Sequence, residues 1–351
     1  MLGRLCALRT GTESRKGRQG LTFDPTKIPE FCGYLPHVED TERFVSSLSV
    51  PRFGEAGEVM HTDRIDVDLW RPLIEAKPNW KRGSQGIGDC VSWGAELCVT
   101  ILLAIQAKNG QSEWTEEAAT EPIYGGARVE ANGGKLGGYQ DGSWGSAAAK
   151  WLQDSGGVVL RKDYSAATDV DEHDLRAYDK NRAKEWGNFG CGGVSDAGRA
   201  DGLLDKIAQE HPCKTVTSVK TTEELASALQ NGYPVSVASM VGFGRMQRNK
   251  NGVCLASGQW AHQMAFAGIR WVKNEPQFRQ FQSWGKSCSG PDPGTECEAV
   301  SDCSWWTTSE DAGRQLRAND SFAFSSVEGF PPQKITWSEV ANTWDWSSGD
   351  P

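Results

Sequence analysis

The sequence predicts an α+β protein whose helices gather in its first half and whose strands gather in its second, the two parts meeting along a cleft. Three observations carry this. Cys90 to Lys108 is an unbroken run with apolar residues at Ala95, Leu97, Cys98, Ile101, Leu102 and Ile105, covering more than one face as a buried helix does. Pro234 to Val241 alternates with period two, as a half-buried strand does. The 351 residues, 38% of them hydrophobic, are enough to bury a substantial core.

In chain order, residues 1–64 carry scattered Pro and Gly with little periodicity and predict an extended N-terminal arm. Its basic run, Arg4, Arg9, Arg15, Lys16 and Arg18, is either a solvated tail or a dock for the acidic surface of a protein partner. The folded domain is expected over residues 65–330, with a helical lobe over about 85–200 and a β-rich lobe over about 213–330. Ile65 to Trp70 alternates like a strand, and Lys81 to Asp89 is a polar, glycine-rich loop. Asp89 is a good N-cap for the helix that follows. A second helix is predicted over Ser143 to Asp154, stopped by Gly156-Gly157, and a third over Thr221 to Gln230, where Thr221 and Glu224 have capping-box spacing. Gln263 to Trp271 and Phe278 to Trp284 are further strands. Residues 331–351 form a C-terminal tail whose Trp337, Trp344 and Trp346 are expected to pack on the body or on a protein partner.

Composition excludes several classes. With 46 acids against 37 bases, the chain lacks the clustered cations of a general nucleic-acid binder. Apolar runs such as Val99 to Ile105 fall short of the roughly 20 residues a bilayer needs, so no membrane partner is expected. Met1 to Leu8 is too short for a secretory signal, which leaves host cytoplasm and virion both open as locations. Ten cysteines are too few for a disulfide scaffold; around Cys288, Cys297 and Cys303 reduced thiols and a disulfide both fit. Cys191-Gly192-Gly193 reads as a turn. Without a phosphate loop, dinucleotide fingerprint or metal-binding helix, no cofactor and no metal are expected.

Chemistry centres on two residues. Cys90 follows the glycine-rich loop and starts the buried helix, where unpaired backbone N–H groups and the helix dipole stabilise a thiolate. Gln85, five residues upstream, can aim its amide at an oxyanion formed beside the Cys90 N–H. Of five histidines, His262 alone begins an apolar strand, where an imidazole needs a partner for each nitrogen. Taken alone, each fits a packing role as well.

The motifs around them resemble those of the papain-like cysteine peptidases. Gln85-Gly86-Ile87-Gly88-Asp89-Cys90-Val91-Ser92-Trp93 is similar to that family's nucleophile loop, Asp141-Gly142-Ser143-Trp144 to its substrate-pairing segment, Trp260-Ala261-His262-Gln263-Met264 to its histidine strand, and Phe281-Gln282-Ser283-Trp284-Gly285 to its Asn-Ser-Trp-Gly motif. They fall in the family's order over residues 65–330, with bacterial and bacteriophage-encoded members as the nearest look-alikes. The resemblance implies a two-lobed papain-like fold, with the helix from Cys90 in one lobe and His262 in the other. It also implies acyl transfer on a peptide or protein substrate: Cys90 as nucleophile, His262 as base and then acid, Gln85 with the Cys90 N–H as oxyanion hole, and Gln282 orienting the imidazole. Gly142, Ser143, Ala261 and Trp284 would line the substrate, Trp284 also shielding the hydrogen bond between Gln282 and the imidazole from water.

Departures from the pattern are specific. The loop is one residue shorter between Gln85 and Cys90, and the cysteine whose disulfide pins it in relatives is absent. Asp89 brings a negative charge that should raise the Cys90 pKa. Val91 replaces a Trp, and Gln282 stands for an Asn. The stretch from Cys90 to His262 exceeds the roughly 130–150 residues typical of such enzymes, with the excess assigned to Tyr164–Gly193. Three readings follow: an active cysteine peptidase, a papain-like fold kept as a virion-associated binding protein with weak or lost activity, and other cysteine acyl transfer. Gly88-Asp89-Cys90 also resembles the turn of bacterial cell-wall cysteine peptidases, but the only histidine near enough, His173, lies in an acidic stretch that reads as solvated.

Overall fold

The computed structural model describes residues 31–333 apart from 56–59, 61–62, 132–135, 137–140, 156, 169–170 and 191–202. The basic run, the tryptophan-bearing tail and Cys191-Gly192-Gly193 lie outside the described residues.

The first half is helical. Helix α1 (Val38–Ser47) precedes the short strand β1 (Val67–Asp68) and α2 (Arg71–Ala76); α3 (Cys90–Lys108), α4 (Thr120–Gly125), α5 (Gly145–Ser155), α6 (Ser165–Thr168), α7 (Lys180–Phe189) and α8 (Leu203–Ala208) follow. The second half carries β2 (Thr215–Ser218), α9 (Thr222–Gln230), β3 (Val235–Val241), β4 (Gln259–Val272), β5 (Glu275–Phe281), α10 (Glu298–Cys303), β6 (Ser304–Thr308), α11 (Ser309–Leu316) and β7 (Ser321–Ser325). Among the described residues the strands form one seven-stranded sheet in the order β2-β7-β3-β4-β5-β6, every pair antiparallel, with β1 added alongside β4.

Helix α3 occupies the predicted span. By length and composition it could cross a membrane, contrary to the sequence expectation, and its burial in the core accounts for that composition. Leu97, Ile101, Leu102 and Ile105 are all buried, each worth roughly 1.5–3 kcal/mol. The helix packs on β4, and Gly94 sets how closely: a Cβ there would lie 2.8 Å from the Gln263 Cγ and 3.0 Å from the Met264 carbonyl oxygen. That approach, one turn below Cys90, brings the helix start to the strand that carries His262.

Other elements match in type with shifted ends. The predicted capping box is present, with Thr221 accepting from the Glu224 N–H at 3.2 Å. Strand β4 starts earlier than expected, placing His262 inside the sheet opposite Ser239. Residues 31–64 are not simply an extended arm: α1 lies against α5, with Thr41 Oγ1 2.9 Å from Ser146 Oγ. Asp89 does not cap α3 with its side chain. His173 is fully buried rather than solvated; its Nδ1 meets Thr168 Oγ1 at 2.8 Å and its ring packs edge-on against Trp186. Cys288, Cys297 and Cys303 are free thiols.

Arg82 ties the helical half to the sheet. Its buried guanidinium bonds Glu96 Oε2 at 2.5 Å and the Trp93 carbonyl at 2.6 Å on α3, and its Nε donates to the Gln282 carbonyl at 3.2 Å just beyond β5. A buried cation with a paired carboxylate and two carbonyl acceptors has its desolvation offset by directed bonds.

Candidate active site

Cys90 opens α3 and is fully buried. Backbone N–H groups of Gln263, Gly33 and Cys90 itself draw its thiol pKa down, but burial outweighs them and, with Asp89 alongside, pushes it up to about 12. The Gln263 N–H facing the sulfur belongs to the residue after His262, so the strand that carries the imidazole passes beside Cys90. His262 is fully buried and stacks on Trp284, with ring centroids 4.2 Å apart and planes at 21°. Among the described residues neither ring nitrogen has a hydrogen-bond partner. Burial first, and the Arg82 charge second, hold its pKa down to about 3. In this arrangement the pair is neutral thiol and neutral imidazole.

The cause of that burial is the chain itself. Residues Phe31 to Leu35 run as a strap over Cys90, extended from Cys32 onward. The Leu35 N–H donates to the Ser143 carbonyl at 2.8 Å, and the Ser143 N–H donates to the Gly33 carbonyl at 2.8 Å. From the opposite side, the Tyr34 N–H donates to the Ala261 carbonyl at 3.1 Å. Ser143 and Ala261 therefore give their backbone to an extended polypeptide. Gly33 is required where the strap crosses the loop before Cys90, because a Cβ there would lie 1.7 Å from the Gly88 oxygen. The Tyr34 side chain is buried and hydrogen-bonded to Asp320, which also accepts from the Gly145 and Ser146 N–H groups at 2.9 and 2.6 Å. Burial raises the Asp320 pKa to about 6, against the pull of those donors.

The fold that carries these groups is matched in solved structures. Xylellain, a cysteine protease from Xylella fastidiosa, aligns with a TM-score of 0.52 at 17% identity, over 85% of this chain and 97% of its own. A structure from work on the mite allergens Blo t 1 and Der p 1 gives 0.51 at 12% identity, over 87% and 83%. A procathepsin B from Trypanosoma congolense gives 0.50 at 10%, over 87% and 88%. The chain has the papain-like fold. At these identities the likeness speaks to fold alone; the sequence itself matches no family model and no curated protein.

Within the papain-like frame two predicted amides are engaged elsewhere. Gln282 does not hold the imidazole: its Nε2 donates to the Gly285 carbonyl at 3.1 Å and to the Ser287 hydroxyl, and its Oε1 accepts the Trp284 N–H. With one methylene more than Asn, its amide folds back and closes its own loop. Gln85 faces the strap, donating to the Phe31 carbonyl at 2.7 Å and the Ile87 carbonyl at 2.8 Å, while its oxygen accepts from the Ser283 hydroxyl. Both amide hydrogens are thus occupied while the strap is in place. Gly142, at φ +111°, is fixed by the Tyr124 hydroxyl at 2.9 Å, which holds Ser143 towards the strap. Trp284 stacks on His262, but with Gln282 engaged elsewhere there is no imidazole–amide hydrogen bond for it to shield.

Sequence reasoning missed Tyr34, Asp320, Tyr124 and Tyr178. Tyr34 lies in a stretch with no period, and Asp320 acts from the far end of the chain; nothing local marks either. Tyr178 hydrogen-bonds the loop before Cys90 from the stretch read only as excess length. Among the described residues no group of three His, Cys, Asp or Glu gathers to hold a metal.

Proposed function

We propose that the chain is a cysteine peptidase acting on peptide or isopeptide bonds through Cys90 and His262, its cleft covered by the strap. The observation that carries this is the strap itself: an extended polypeptide already lies across the sulfur, bonded through its backbone to Ser143 and Ala261. A groove that binds main chain rather than particular side chains is what a peptidase needs. The strap offers the sulfur the Gly33 N–H rather than a carbonyl carbon, so it occupies the site without being cut.

With a substrate in its place, the Cys90 sulfur attacks the carbonyl carbon and the thiol proton passes to His262. The imidazolium then protonates the leaving amine, and water releases the acyl group through the same base. The Cys90 N–H and the Gln85 amide, freed from Phe31, form the oxyanion hole. Departure of the strap also readmits water, which removes the main cause holding thiol and imidazole neutral. Gln282 serves as the brace of the Trp284 loop in this reading.

A second reading, a binding protein on the same fold with lost activity, draws on the unpartnered imidazole and the engaged Gln282. The two are separated by labelling with an epoxysuccinyl peptide near pH 6, followed by a peptide-library digest. Labelling confined to Cys90, absent in Cys90→Ala and at least about a hundredfold slower in His262→Ala, together with cleavage, supports the peptidase. Reactivity no faster than an ordinary thiol, and indifferent to His262, supports the binding protein.

A further inference from the structure

We propose that Tyr178 is a positioning residue for the nucleophile, its hydroxyl clasping the two ends of the turn between Gln85 and Cys90. The inference rests on the reading of Cys90 as nucleophile. The Gly86 N–H donates to the Tyr178 oxygen at 3.1 Å, and the Tyr178 O–H donates to Asp89 Oδ2 at 2.9 Å. One phenol thus spans the turn whose last residue precedes the sulfur. Its ring packs edge-on against Trp93 in the first turn of α3, at 5.0 Å and 66°. No disulfide pins this turn: Cys90, the cysteine at its end, is a free thiol and residues 85–89 hold none.

The clasp has a rigid mount. The following residue, Asp179, donates its N–H to Glu121 Oε1 at 3.0 Å, and that buried carboxylate also takes Arg182 at 2.9 Å and Arg161 at 2.8 Å. Tyr178 is therefore held by α4 and α7, independently of the turn it grips.

The clasp also governs a charge beside the sulfur. Asp89 is fully buried, its carboxylate does not cap α3, and among the described residues its Oδ1 has no partner. Burial raises its pKa to about 8, opposed first by the Tyr178 hydrogen bond. The titratable groups facing it are the Tyr178 and Tyr124 hydroxyls, Glu121 with its two arginines, and the Cys90 thiol. A hydrogen bond to the ionised form favours that form, so removing it keeps Asp89 neutral to higher pH.

Tyr178→Phe in the full chain keeps the ring and removes the clasp. Infrared difference titration of the Asp89 carboxyl, assigned with Asp89→Asn, should show its midpoint rising by about one pH unit or more in Tyr178→Phe. An unchanged midpoint overturns the proposal, whether or not the protein is a peptidase. For turnover, kcat should fall about tenfold to a hundredfold with KM within about twofold, because a displaced turn moves the sulfur and leaves the backbone groove intact. A purely structural role would lower thermal stability while leaving both the midpoint and kcat of the folded protein unchanged. Wild type that never labels at Cys90 speaks against the nucleophile reading; wild type that labels while Tyr178→Phe matches its kcat speaks against the clasp alone. If Tyr178→Phe does not fold, the pH profile of Cys90 labelling in Asp89→Asn decides: loss of the inflection near pH 8 supports coupling of this carboxyl to the sulfur, and an unaltered profile overturns it.

Discussion

Tyr34→Phe tests how the strap is held. Cys90 is fully buried, so a small alkylating reagent reaches it only while the strap is off, and the observed rate is the intrinsic rate multiplied by the open fraction. The substitution keeps the ring and the backbone bond to Ala261 and removes one hydrogen bond to Asp320. Bonds to charged groups are worth about 1.5–3 kcal/mol; Asp320 keeps its donors at Gly145 and Ser146, so the low end applies, about 1.5 kcal/mol. That is about a tenfold larger open fraction. The assay is iodoacetamide alkylation at pH 8, with the Cys90 peptide followed by mass spectrometry. A second signature comes from Asp320. The bond favours its ionised form, so the advantage of Tyr34 is full above the midpoint near 6 and shrinks below it as the carboxyl is neutralised. The ratio of variant to wild-type rates should therefore fall from about tenfold at pH 8 towards about threefold or less at pH 5. Equal rates for the two proteins at pH 8 would refute the idea that Tyr34 anchors the cover.

Three further outcomes are expected. Gly94→Ala drives a methyl into Gln263 and Met264, and should cost about 1–3 kcal/mol in denaturant unfolding while separating Cys90 from the Gln263 N–H; full stability would mean that helix and strand are not in tight contact. Asp89→Asn should flatten the pH dependence of stability: the folded-state pKa of about 8 lies above the ordinary carboxyl value, so the native chain holds a proton that the unfolded chain releases, and wild-type stability falls as pH climbs from about 4 to 8. Parallel melting-temperature curves for the two proteins over that window would contradict this. Arg82→Met leaves Glu96 buried without its cation and should cost about 3–5 kcal/mol, while removal of the nearby charge raises the His262 pKa, readable by NMR titration; a loss below about 1 kcal/mol would show that Glu96 is rescued by water.

Features that depend on local pattern were legible in the sequence. Cys90 to Lys108 is apolar around its circumference, so its ends are fixed where that stops; Thr221 and Glu224 mark a helix start through the identity of two side chains. The approach of the Cys90 helix to the strand that carries His262 was legible only through order of motifs, since that contact depends on Gly94, whose role is to have no side chain. What stayed hidden involves backbone groups, which every residue carries alike. The strap binds Ser143 and Ala261 through N–H and C=O, so no residue type advertises it. His173 misled for another reason: Asp171 beside it faces solvent while its ring turns inward to Thr168 and Trp186. Gln282 misled because an amide is recognisable in sequence and its bond partners are not.

Because the strap continues directly into α1, which is packed on α5, the cover of the cleft is tethered to the body it covers. Its hold is then set by an effective concentration, on the order of millimolar for a short tether, and not by the amount of protein in solution. Dilution leaves the occupied fraction unchanged, and a free peptide at micromolar concentration competes at about a thousandfold disadvantage against a strap of equal intrinsic affinity. A partner that gains the cleft must therefore either bind far more tightly than the strap or seize α1 and draw the tether away.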